Sequence, residues 1–247
     1  MLTRKPNIMN HLKMISNEDS INYRTNMFVF ISDAIKQQLT SIDRISEELD
    51  QIEYKDLSEQ EDQDDDALFE STAREFFLDT VLEESINTLE DLLGLTMVIC
   101  QTRITQIITR VKRLEIFCNA EHNHQITLRT SKDSLMVLDP FSPIPEVTSI
   151  QVLNAYANYF KHKDEWPENW SNLSHLNQLP KQTQATISIL KQTGATENLN
   201  NAFRNAANLL GNQVFYDIYV YNNRLDVWAE EIHNQIEREL KAVGIIQ

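Results

Sequence analysis

From Leu78 to Cys118 the chain carries an apolar residue at every third or fourth position: Leu78, Leu82, Ile86, Leu89 and Leu93, then, beyond Gly94, Met97, Cys100, Ile104, Ile107, Val111, Leu114 and Cys118. A 3.6-residue period puts all of them on one side of an α-helix, whereas a strand would need alternation with a period of two. The phase runs almost unbroken through the glycine, so residues 67–119 read as either one very long helix or two nearly collinear ones. Upstream, Phe28, Ile31, Ile35, Leu39, Ile42, Ile45, Leu49 and Ile52 repeat the pattern and predict a long amphipathic helix over about 19–54. The acidic stretch Glu59–Asp66, read as a solvated loop or helix N-terminus, joins the two antiparallel.

The period breaks over residues 120–147, where Pro140, Pro143 and Pro145 stand, half of the chain's six prolines. This stretch is expected to be a connection, with a short extended piece at Gln125–Arg129. A helix then runs from about Thr148 to Glu165 and stops at Pro167. Pro180 can open a short helix to Thr193, and Thr196 can cap another that carries Leu199, Phe203, Ala206 and Leu210. Val214, Ile218, Tyr221, Leu225, Trp228, Ile232 and Ile236 define a last helix, about 212–243. The four glycines, Gly94, Gly194, Gly211 and Gly244, fall where apolar runs end or pause, as helix C-caps do. No alternating run argues for a sheet. The class is therefore all-α: a helical bundle with a long antiparallel hairpin in residues 1–121, a Pro-containing connection over 122–147, and C-terminal helices over 148–247 that pack on the hairpin as one compact domain. At 41% hydrophobic residues, 247 positions suffice for that core.

Lys and Arg number 22 against 37 Asp and Glu, a net charge of −15 that excludes broad DNA or nonspecific phosphate-backbone binding. A local basic face is still compatible with it. Arg103, Arg110, Lys112 and Arg113 form such a patch on the outer side of the second long helix, where an anion or RNA contact is the functional reading and a solvated face the structural one. No run of eighteen apolar residues occurs and Met1–Pro6 has no apolar segment behind it, so the expectation is a cytoplasmic protein without a membrane span. Cys100 and Cys118 both lie in the apolar seam, where a thiol acts as a small hydrophobe. The same seam, residues 97–118, could pair two copies in a homodimer or be satisfied within one chain.

The one concentration of site-like side chains is Asn154-Ala155-Tyr156-Ala157-Asn158-Tyr159-Phe160-Lys161-His162-Lys163-Asp164-Glu165-Trp166. Asn154, Asn158, His162 and Glu165 stack along one helical stripe with Lys161 beside it, and Ile150, Leu153, Ala157 and Phe160 form the opposing apolar stripe. Trp166 and Trp170 read as packing anchors about the Pro167 turn. An amide, an imidazole and an ammonium on one face suit an anionic group such as a nucleotide phosphate. The bland alternative is a His162 bonded to Glu165 or Asn158 on a charged helix end.

Asn158-Tyr159-Phe160-Lys161-His162 resembles the end of the Arg-polar-x-x-x-His signature of the HEPN superfamily, helical proteins that include metal-independent ribonucleases of toxin and phage-defence systems. The likeness covers about six residues. It implies a HEPN-like fold, with His162 as the catalytic histidine and Asn158 as its polar partner. Ala157 stands where the signature has its arginine, so charge stabilisation at a phosphorane would fall to Lys161 or Lys163, point charges without the guanidinium fork. The leading reading is accordingly a degenerate HEPN-like binding module for RNA, a nucleotide or a protein partner, with Asn154, Asn158, Lys161, His162, Lys163 and Glu165, together with Arg103, Arg110 and Arg113, as ligand contacts. A metal-independent endoribonuclease is the competing reading, with His162 as general acid and base, Asn158 orienting it and Lys161 at the phosphate. A purely structural helical adaptor is the third. No cofactor or metal is expected: Glu121-x-x-His124 and Glu230-x-x-His233 match half of a di-iron motif each but lack the further inward glutamates. His122-x-His124 has no third ligand, and there is no Gly-rich phosphate loop, Gly-x-Ser-x-Gly elbow or Cys-x-x-Cys.

Overall fold

The computed structural model describes residues 8–16, 21–58, 65–122, 127–167, 169–172, 176–196, 201–211 and 217–247; the side chains of 21–28, 53–58, 65–70 and 121–122 lie outside the description. The fold is all-α, 81% helical. Among the described residues there is no strand, only an isolated bridge between Ile144 and Val147. The helices are α1 (Ile8–Ser16), α2 (Ile21–Ser58), α3 (Asp65–His122), α4 (Lys132–Met136), α5 (Ser149–His162), α6 (Lys181–Gln192), α7 (Ala202–Leu209) and α8 (Tyr219–Ala242). Short 3₁₀ turns at Lys163–Glu165, Trp170–Asn172 and Leu176–Gln178 link α5 to α6.

The apolar stripe through Gly94 resolves as one helix. At 58 residues, α3 is about 87 Å long. Its seam from Met97 to Cys118 is buried to 2% exposure or less at every position. That seam is satisfied within the chain by α1, α5 and α8. An 18-residue window in residues 71–120 has a mean hydropathy of 1.3, enough by length and composition to span a membrane, yet 56% of the window is buried by the rest of the fold.

Gly94 is not a helix terminus. A Cβ there would lie 2.1 Å from the Phe160 ring of α5, so the missing side chain is a notch that lets α5 cross α3 in close contact. Gly194, Gly211 and Gly244 do have positive φ and close helices from the position just after the C-caps Thr193, Leu210 and Val243.

Two elements were not legible in the periodicity. Ile8, Leu12 and Ile15 of α1 are buried against α3 and α8, and α4 sits inside the 122–147 stretch, where Leu128, Leu135, Met136 and Val147 are buried in the common core. That stretch is a packed part of the fold as well as a connection. The N-cap of α7 is Asn201 rather than Thr196. The Phe28 side chain, Leu199, Val214, the acidic run at 59–64 and His124 lie outside the description.

The hairpin has a distinct character. α2 takes α3 as its principal neighbour, and the exposed Arg74–Glu48 pair at 3.2 Å bridges the two antiparallel helices. Leu39 and Ile42 stay partly exposed in its seam. Residues 29–91 hold 20 of the 37 carboxylates but 4 of the 22 cations, while the other residues carry 17 and 18. The negative charge thus belongs to α2 and the first half of α3, and the other residues taken together are close to neutral.

Substituting Gly94→Ala tests the crossing. Alanine would raise helix propensity by about 1 kcal/mol, but forcing the Phe160 ring away from α3 costs about 1–3 kcal/mol. The expected result is a net loss in urea denaturation, reversed when Phe160→Leu is added.

Candidate functional site

Helix α5 begins with a complete set of caps. Thr148 Oγ1 accepts from the Gln151 N–H at 3.3 Å and Gln151 Oε1 accepts from the Thr148 N–H at 2.8 Å, a capping box. The buried Asp139 carboxylate accepts from the Ile150 and Phe141 N–H groups, at 3.0 and 3.1 Å. Burial pushes its pKa above the usual carboxylate range, and these N–H groups oppose the shift.

The first ten residues of α5 are enclosed almost all round, with α3 on one side and α6, α7 and α8 around it. This corrects the picture of an open polar stripe: Asn154 and Asn158 are buried, and only Lys161, His162 and the residues after them reach solvent. Buried amides need partners, and Gln101 of α3 supplies them. Its Nε2 donates to Asn158 Oδ1 at 2.6 Å and to Asn154 Oδ1 at 2.9 Å, and its Oε1 accepts from the Lys161 ammonium. Lys132, on α4, donates to Asn154 Oδ1 at 2.6 Å, and Asn158 Nδ2 donates to Thr186 Oγ1 of α6 at 3.4 Å. Three amides therefore bridge two ammonium groups.

Neither Lys132 nor Lys161 has a carboxylate within ion-pair distance among the described residues. Desolvation pulls the Lys132 pKa below its ordinary value, the Lys161 charge adds to that, and Asp133 opposes it. One half-buried cation, Lys132, meets only neutral hydrogen-bond partners here, beside the exposed Lys161, in a protein with a net charge of −15.

Beside this network the surface between α5 and α6 is concave. One cleft of about 460 Å³ is lined by Lys132, Asp133, Gln151, Asn154 and Lys181, and a second of about 370 Å³ by Asn158, His162, Glu165, Trp166, Pro167 and Pro180. Both are also lined by Gln182 and Thr186, so they flank one face of α6 as a divided groove. His162 stands at the rim, exposed, with Nδ1 3.1 Å from Glu165 Oε2. Lys163 lies over the Phe160 ring and 3.5 Å from Asp91. Trp170 is buried and both tryptophans pack on Tyr159, as anchors should.

The arginines go elsewhere. Arg103 is buried, not outward-facing: its guanidinium bonds Asn222 and Asp226 and ties α8 to α3. Arg110 donates to the Met14 carbonyl at the end of α1, and its pKa is lowered by burial and by Arg103. With Arg113, His11, Met14 and Gln106 it lines a separate cleft of about 470 Å³ that no α5 residue borders. None of the three reaches the α5–α6 groove, so within one chain none replaces the arginine missing at Ala157.

Gln101, Lys132, Lys181 and Thr186 were absent from the sequence reading. Gln101 had a signal, an amide beside the apolar seam at Cys100 and Ile104; Lys132 and Lys181 come from separate helices and had none. Among the described residues no three His, Cys, Asp or Glu side chains converge as a metal site. His233 instead lies 3.3 Å from Ser16 Oγ, and Glu121, His122 and His124 fall outside the described side chains. Comparison with family models, with curated proteins and with solved structures finds no match to this chain.

If the groove is a cation site kept at a cost to stability, Lys132→Met should raise the thermal midpoint at pH 7, since Asn154 Oδ1 keeps its bond from Gln101. The sign follows from the lowered pKa. A folded-state lysine that holds its proton less tightly than the unfolded one penalises folding at low pH, and the penalty fades as pH rises through the folded pKa towards 10.5. The gap between variant and parent should therefore narrow on raising the pH from 7 to 10. A lower midpoint for the variant at pH 7 would contradict the assignment.

Proposed function

We propose that this protein is a noncatalytic, HEPN-like helical binding module that takes a phosphate-bearing ligand, RNA or a nucleotide, in the groove between α5 and α6. One observation carries the reading: Lys132 and Lys161 converge on the Gln101–Asn154–Asn158 network without a carboxylate within ion-pair distance among the described residues, and Lys132 lines one cleft together with Lys181 of α6 and Asp133. Such an arrangement favours an incoming anion because the desolvation of Lys132 is already present before binding. The other cleft offers flat apolar surface at Trp166, Pro167 and Pro180 with Asn158 and Glu165 as polar groups, which suits a base or a ring next to the phosphate. Placement of the acidic charge on the hairpin supports the reading, since it leaves the groove outside the most negative part of the chain.

A second reading, the metal-independent endoribonuclease, is favoured by the His162–Glu165 contact at the groove rim. A carboxylate on Nδ1 would orient the ring and leave Nε2 for proton transfer. Against it, no arginine lines either cleft of the groove among the described residues, and Lys161 is engaged with Gln101.

One experiment separates the two. Purified protein is mixed with a 5′-phosphorylated single-stranded RNA in the presence of EDTA, and binding and cleavage are followed for the parent, Lys132→Met and His162→Ala, each checked for folding. The binding module predicts no cleavage and an affinity about tenfold weaker for Lys132→Met, equivalent to about 1.4 kcal/mol. Cleavage that is lost only in His162→Ala establishes the nuclease instead. Absence of both binding and cleavage in the folded parent removes the groove as a phosphate site.

A further inference from the structure

Helix α3 is exposed along one continuous line, opposite the seam that the rest of the fold covers. Phe77, Leu95 and Arg113 are spaced by eighteen residues, five full turns, and so lie on a single line of the helix. Thr88 and Thr102 are exposed on the same line, and Ile116 continues it. The apolar members are far from buried: Phe77 is 64%, Leu95 38% and Ile116 67% exposed, with Phe76 at 75% beside them. Leu92, Val98 and Ile99, only partly buried, surround Leu95 and give the strip a contiguous apolar centre.

Exposed charge along α3 selects the occupant. Residues 71–92 expose Glu75, Asp79, Glu83, Glu84 and Asp91 against Arg74, whereas residues 93–120 expose Lys112 and Arg113, with Arg110 and Glu115 half-buried. A second α3 laid parallel would set acid on acid. Laid antiparallel about Leu95, it sets the acidic half of each copy along the basic half of the other and brings Phe77 opposite Arg113 and Thr88 opposite Thr102. The two-fold then falls at Leu95, where an exposed leucine meets its own copy, as a self-complementary interface requires.

We propose that the exposed face of α3 binds a second copy of this chain as an antiparallel helix pair centred on Leu95. The face is distinct from the Met97–Cys118 seam, which is occupied within one chain, and independent of the α5–α6 groove. Pairing also places Phe76 and Phe77 of each copy at the end of α3 where Ile116 of the other stands exposed, covering apolar residues that one chain leaves in water.

Solution mass tests the existence of the pair and crosslinking tests its register. At micromolar concentration and low salt the full chain should run at twice its 28.8 kDa mass, and the dimer should weaken as salt rises. Leu95→Asp, which sets two carboxylates against each other at the two-fold, should weaken it by about 100-fold, while Val137→Asp, at an exposed position off the helix, should not. Leu95→Cys should form a disulfide-linked dimer under mild oxidation. Cys100 gives no background in the folded chain because burial pushes its thiol up to about 12 and removes it from solvent; Cys118 is buried with a raised pKa as well. Thr88→Cys and Thr102→Cys chains should crosslink when mixed and not when alone. A folded monomer at all concentrations overturns the proposal. So does a dimer that tolerates Leu95→Asp and yields no Leu95→Cys crosslink, which would place the contact on another face.

Discussion

The arrangement of the chain depends on how closely α5 approaches α3. Where the two cross, Gly94 has no side chain and the Phe160 ring occupies the space a Cβ would fill. Close contact there brings Gln101, two turns further along α3, within hydrogen-bond reach of Asn154 and Asn158. A wider crossing would leave three buried amides without partners, and each unsatisfied group costs about 1–3 kcal/mol. The glycine is therefore a condition for the polar network as well as for packing, despite its unfavourable place in a helix interior.

α3 acts as the spine on which other elements take their places through specific polar contacts as well as through the seam. Arg103 holds α8 through Asn222 and Asp226. Glu90 is buried and holds α7, accepting from the Phe203 N–H at 2.8 Å and from Arg204 at 2.6 Å; desolvation raises its pKa while these donors oppose the rise. Each is a charged group largely withdrawn from water and matched by a partner, the condition under which burial of charge is tolerated. Lys132 stands out by contrast, because its hydrogen-bond partner, Asn154 Oδ1, is neutral. That difference in compensation, rather than the number of basic residues, distinguishes the groove from the structural arginines.

Charge and shape are divided in the same way. Residues 29–91, in α2 and the first half of α3, carry an excess of 16 carboxylates over cations, and the remaining residues are balanced to within one charge. A net charge of −15 argues against binding phosphate only if it is spread evenly. At physiological salt, fields fall off over about 8 Å, so a groove framed by α4, α5 and α6 responds mainly to its own charges, Lys132 and Lys181 with Asp133 and Glu165. Composition gave the right sum and no indication of where it sits.

The sequence by itself determined the all-α class, the antiparallel hairpin, the span of α5 and the burial of both cysteines, because a three-four apolar period admits one kind of element and one buried side. It missed α1, whose three apolar residues make too short a pattern, and α4, which is a single turn among prolines. At the site it named Asn154, Asn158, Lys161 and His162 but read the first two as open, since periodicity tells which residues share a face and not whether a second layer covers that face. It grouped Arg103 with Arg110 and Arg113 for the same reason: the three are near neighbours on one helix, and only the position of α8 separates a buried ion pair from an exposed cation. The convergence of Lys132 and Lys161 on Gln101 and Asn154 was decided by tertiary structure alone. They come from two helices, and their proximity depends on how closely α5 crosses α3, which the notch at Gly94 permits and no local pattern records.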